Sequence, residues 1–139
     1  MTLMNNMLSS LKKTVITLAL LLAATAGAYA QTTWSGIVSF TTNQTITNNV
    51  TLSDNAILRI SSGVTVTVTG SIRGSFGLGV TGGGTLIMAG NNTYRGITSV
   101  AGSTLQIGNG KSGSNDETLG IRLDESSTLR FYPEEDMVF

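Results

Sequence analysis

The chain has 139 residues, with 8 Lys or Arg against 8 Asp or Glu, and it carries 17 Gly, one Pro and neither His nor Cys. The missing residue types exclude Ser-His-Asp and Cys-His nucleophiles, thiolate or imidazole metal centres and any disulfide framework. Zero formal net charge and only 12% charged residues leave no polycationic surface, so neither a nucleic-acid partner nor a small-molecule cofactor is expected.

In chain order, the first element is a leader. Residues 1–13 are polar and end in Lys12 and Lys13; an apolar run follows from Thr14 to about Ala26, and the triplet Ala28-Tyr29-Ala30 closes it. A charged start, a short apolar middle and an A-x-A site are the parts of a secretory signal peptide. The apolar run is too short for a spanning helix, which needs about 20 residues. Residues 1–30 are therefore read as a cleaved signal peptide, with Gln31 opening the mature chain. Cleavage removes Lys12 and Lys13, leaving 6 basic and 8 acidic side chains, a charge near −2.

Past Gln31 no stretch shows the recurrence of an amphipathic helix, and period-two runs appear instead. Trp34 to Phe40 is read as an N-terminal cap. Leu58 and Ile60 alternate with Arg59; Val64, Val66 and Val68 alternate with Thr65, Thr67 and Thr69. The Gly-rich stretch from Gly74 to Gly84 lacks a phosphate-loop pattern and reads as turns. Further pairs are Leu86 and Met88, Leu105 and Ile107, Ile121 and Leu123, then Leu129 and Phe131. Each run is short and bounded by Gly, Asn or Ser, as strands joined by tight turns require.

A six-residue theme recurs as Gly83-Gly-Thr-Leu-Ile-Met88, Gly102-Ser-Thr-Leu-Gln-Ile107 and Ser126-Ser-Thr-Leu-Arg-Phe131. Its Thr-Leu pair thus returns at Thr85, Thr104 and Thr128, and Thr65 stands one similar step before the first of them. A step near 20 with several strands in each step is the mark of a solenoid, whose coils bury their aliphatic side chains only by stacking. Residues 31–139 are read as one all-β solenoid segment of about five coils.

Residues 83–110, GGTLIMAGNNTYRGITSVAGSTLQIGNG, resemble the autotransporter-associated β-strand repeat, also called the passenger-associated transport repeat. Its pattern runs roughly GGTLTLTGNNTYTGGTTVNAGTLQIGNG. Gly83 to Leu86, Gly90 to Tyr94, Gly96, Thr98, Val100, Thr104, Leu105, Ile107, Gly108 and Gly110 match it; Ile97 and Ser103 depart from it, both at turns. Residues 111–139 look like an incomplete following unit. The resemblance implies a right-handed parallel β-helix in a secreted or surface-displayed, outer-membrane-associated passenger. It also implies an outer-membrane translocation barrel or further repeats as partners, neither of which is in this chain. Independently of it, Gly90, Gly96, Gly102 and Gly108 suit corners needing positive φ or close backbone approach. Asn91 and Asn92 suit corners by tolerating left-handed backbone or forming ladders. Tyr94 is expected to cover the interior at a turn with its hydroxyl at the surface.

The search for chemistry yields no catalytic, cofactor-binding or metal-ligating residue. Only Asp54 precedes residue 110 among the acids; Asp116, Glu117, Asp124, Glu125, Glu134, Glu135 and Asp136 follow it. These are mostly sequential neighbours, which on a strand point to opposite faces. They match neither a calcium loop nor the β-roll nonapeptide. Thr65, Thr67 and Thr69 share a strand face, but Ile87 and Gln106 interrupt that array on related strands. Asn43, Asn49 and Asn91 open glycosylation sequons and read as turn and ladder residues. The expected function is a non-enzymatic, secreted or surface-exposed stalk or scaffold, adhesin-like, able to self-associate through open solenoid ends. A carbohydrate-active or glycan-binding β-helix and a small outer-membrane β-barrel stand as alternatives.

Overall fold

A computed structural model describes residues 32–132. The leader at 1–30, the acids Glu134, Glu135 and Asp136, and the Met137–Phe139 terminus lie outside the described residues. Within them the fold is all-β and contains no helix.

The chain winds through five coils. The first holds β1 (Thr32–Phe40) and β2 (Gln44–Ile46), and the second β3 (Val50–Ile60) and β4 (Thr65–Val68). The third holds β5 (Ile72–Gly74), β6 (Leu78–Thr81) and β7 (Thr85–Met88). The fourth holds β8 (Asn91–Asn92), β9 (Ile97–Val100) and β10 (Thr104–Ile107), and the fifth β11 (Ser114–Asn115), β12 (Gly120–Leu123) and β13 (Thr128–Phe131). All pairing between these strands is parallel, coil on coil, so the molecule is a parallel β-solenoid. One face stacks β1-β3-β6-β9-β12 and a second stacks β2-β4-β7-β10-β13. The third face begins with the first residues of β1 and β3, continues through β5, and ends with β8 under β11.

The recurring Thr-Leu theme sets the second face. Thr65, Thr85, Thr104 and Thr128 are aligned partners on successive strands, so the spacing of these threonines along the sequence is the coil length itself. Alternation then fixes orientation, because side chains on a strand point to opposite sides in turn. Val66, Leu86 and Leu105 form one interior column, and Ile46, Val68, Met88 and Ile107 form the next. On the opposite face Leu58, Val80 and Val100 stack in register, all at most 2% exposed. Each fully buried aliphatic of this kind contributes about 1.5–3 kcal/mol, which a single coil could not gain alone.

The Gly74–Gly84 stretch departs from its sequence reading. It contains β6, with Leu78 and Val80 buried, where turns were expected throughout. Gly79 is the outward residue of that strand and lies under Ile57, whose Cγ1 would sit 3.4 Å from an added Cβ. Weak strand propensity at Gly is overridden by the aliphatic pair that flanks it. The expected cap at Trp34–Phe40 is an integral strand of the first coil. Its Trp34 and Phe40 rings meet edge to face, 6.2 Å apart at 70°, inside the coil.

Corners are held from coil to coil by short amides. Oδ1 of Asn43, Asn49 and Asn55 accepts the backbone N–H of Thr65, Ser71 and Gly77, each on the following coil, at 2.8–2.9 Å. These Asn residues thus satisfy donors of the next coil where the ladder breaks to turn. None of them takes left-handed backbone, since every positive φ among the described residues belongs to Gly. The expectation of left-handed Asn at the corners, made for Asn91 and Asn92, is therefore corrected: the reach of the side chain suits Asn to these places.

Candidate functional site

Two groupings of polar side chains stand out, one inside the solenoid and one on its last coil. Inside, Asn92, Tyr94 and Thr98 are fully buried on the fourth coil. Oδ1 of Asn92 accepts the Ile72 N–H at 2.9 Å, and its Nδ2 donates to the carbonyls of Gly90 and Ser114 at 2.8 Å each. One amide thereby ties three coils together, and Asn115 sits directly above it in register.

Tyr94 overturns the expectation of a surface hydroxyl. Gly74 occupies the matching place one coil below, and the Arg95 N–H donates to its carbonyl, so the ring enters space that a side chain at 74 would fill. Inside, the phenol is hydrogen-bonded to Thr98 Oγ1 and receives the Asn115 Nδ2 at 3.4 Å. Burial raises its pKa above the ordinary 10.0, against the opposing effect of the Thr98 and Asn115 hydrogen bonds. A phenol held neutral among partners is a packing element with a satisfied polar tip. Tyr94→Phe is expected to cost about 1–2 kcal/mol by leaving Thr98 Oγ1 without its partner in the core, read as a lower urea midpoint at unchanged slope. Two interior atoms lack a protein partner: Trp34 Nε1 and Asn115 Oδ1.

The last coil gathers the described acids. Asp116 and Glu117 follow β11 at one corner, while Asp124 and Glu125 follow β12 at the next. Glu117 pairs with Arg95 at 2.9 Å on the surface, an exposed bridge worth at most about 1 kcal/mol. Asp124 is engaged by its own corner and is not poised as one of a pair of acids. Its Oδ1 is bonded to the Ser127 hydroxyl and accepts from the Gly102 N–H at 3.1 Å and from the Ser126 N–H and hydroxyl. The Ser127 bond, then the Gly102 bond, holds its pKa below the ordinary 3.8. A folded pKa below the unfolded one means this contribution is present above about pH 4 and lost as pH falls further. Amide exchange at Gly102 and Ser126 is accordingly expected to accelerate below pH 4, and Asp124→Asn to abolish that pH dependence. Among the described residues no group of three potential metal ligands converges.

Threonine patterning is partly as expected. The column Thr45, Thr67, Ile87, Gln106, Arg130 is broken where the sequence placed the break. Sequence reading missed the neighbouring unbroken column of Thr65, Thr85, Thr104 and Thr128, although the Thr of the Thr-Leu pair was its signal. Beside it, Asn43, Gln44, Thr45, Thr65 and Thr67 line a shallow open groove of about 290 Å³. Asn43 and Asn49 carry their amides into the next coil, whereas Asn91 is exposed.

No protein-family model, curated protein or solved structure matches the chain.

Proposed function

We propose that the chain is a secreted structural solenoid segment, a stalk or scaffold of the autotransporter passenger type. The observation that carries this reading is the coil-over-coil ladder. The repeat-like residues 83–110 occupy most of two adjacent coils, and their Thr85-Leu86 and Thr104-Leu105 pairs stack in register. The polar side chains there are spent on holding coils together: Asn92 spans three coils, and Ser103 Oγ accepts the Gly83 N–H at 3.0 Å. Rigidity along the stacking axis is what a stalk needs, and stepwise addition of coils suits passage in an extended form through an outer-membrane pore. The antiparallel pairing of an outer-membrane barrel is unlike the parallel ladders of this chain.

The test is export. Produced with its own leader in a bacterium that has an outer membrane, the protein is expected beyond the inner membrane, starting at Gln31 by terminal sequencing. Retention in the cytoplasm with residues 1–30 still attached overturns the reading.

A further inference from the structure

The two ends of the solenoid differ. At the first coil the interior is closed: Trp34, Phe40 and Ile46 are 0, 2 and 9% exposed. At the fifth it is open, and no residue from Asn109 to Tyr132 is fully buried. Leu119, Phe131 and Tyr132 are 60–80% exposed, Leu123 is 45% exposed, and Ile121 and Leu129 pack against the core from one side only. Among the described residues, β12 and β13 are also the outermost strands of their faces, each with one unpaired edge. Such an edge beside apolar side chains is a template for strand addition.

We infer that this end is the interface of a two-fold dimer in which a second copy of the chain docks head to head. The exposed apolar surface exists at one end only, so its match is the same end of another copy, which is an isologous contact. A two-fold axis reverses strand direction and sets β13 antiparallel to β13 of the second copy, extending the face that runs from β2 to β13. Side-chain alternation then restricts the register. Leu129 must not oppose the outward-pointing Arg130, and a register centred on Arg130 would place two guanidinium groups opposite each other. Centring on Leu129 sets Leu129 against Leu129 inside and Thr128 against Arg130 outside, with neither conflict. The contact is smaller than a standard interface of roughly 20–30 residues a side, so a dissociation constant in the micromolar range, about 10 μM, is expected. Asp116, Glu117, Asp124 and Glu125 ring the end and oppose the approach, so salt strengthens the dimer by screening them. This inference rests on the fold and is independent of the passenger reading.

The experiment is sedimentation of the protein recovered after export, from about 1 to 200 μM, at low salt and at about 0.5 M salt. A monomer–dimer equilibrium that shifts toward dimer with salt is expected, and Phe131→Glu should weaken it at least about tenfold, since this ring lies at the open end. The chain has no Cys, so Leu129→Cys is expected to give a disulfide-linked dimer on oxidation, while Thr33→Cys at the opposite end stays monomeric. Monomer under every condition overturns the inference. So does an open series of trimers and longer species, equally ready cross-linking through Thr33→Cys, or dimerisation only after removal of residues 133–139.

Discussion

Gly90→Ala is expected to destabilise the fold by about 3 kcal/mol or more, because the methyl group would meet backbone and not a movable side chain. An added Cβ would lie 2.1 Å from the Gly70 carbonyl oxygen and 2.6 Å from its carbon, on the coil directly below. Backbone φ is not the obstacle, since Gly90 is absent from the positive-φ glycines. The constraint is the spacing of stacked coils, about 4.8 Å, which the substitution would have to widen at one corner. Gly63 is the control. It has φ +77 but nothing within 4 Å of an added Cβ, so Gly63→Ala should cost only about 1 kcal/mol from left-handed strain. Urea unfolding of the two variants followed by far-ultraviolet circular dichroism checks the order; equal losses would show that coil spacing is not what forbids a side chain at 90.

Asn92 gives the second large effect. Asn92→Ala leaves the Ile72 N–H and the Gly90 and Ser114 carbonyls without this partner, in a place fully closed to water. Each buried group left unmade costs about 1–3 kcal/mol, so a loss near 4 kcal/mol is expected. Asn92→Asp should not rescue it at neutral pH. The carboxylate keeps an acceptor for Ile72 but loses both donations and buries a charge. Asn91→Ala, next along the chain and exposed, should be nearly silent. Urea midpoints of the three variants check this order, and a rescue by Asp would mean that the Ile72 bond alone holds the coils.

What the sequence made legible follows from period and spacing. Val64 to Val68, Leu86 with Met88 and Leu105 with Ile107 alternate cleanly, and the Thr-Leu steps name the register that stacks them. The exposed last coil is likewise foreshadowed by its charges, which sit on Asp116, Glu117, Arg122, Asp124, Glu125 and Arg130. Legibility fails where coil identity depends on neighbours distant in sequence. The strand Leu78–Thr81 is hidden because Gly79 tolerates its place only under Ile57, its partner on the preceding coil. Tyr94 reads as amphipathic by itself; that it points inward depends on the room left by Gly74 and on the bond between its hydroxyl and Thr98. Laddering by Asn43 and Asn49 is legible in outline, but the coils are unequal in length and conceal which donors these amides meet.

The central claim is that successive strands of one face rise coil by coil along a single axis. Thr45, Thr67, Ile87, Gln106 and Arg130 mark that face on its outer side, aligned partner to partner. Spin labels on paired Cys substitutions at Thr45 and Arg130 should lie about 19 Å apart at the backbone, four inter-strand steps of about 4.8 Å. Moving the first label to Thr67 should shorten that distance by one step. Distances between labels diluted with unlabelled chain that do not grow with the number of intervening strands would contradict the solenoid.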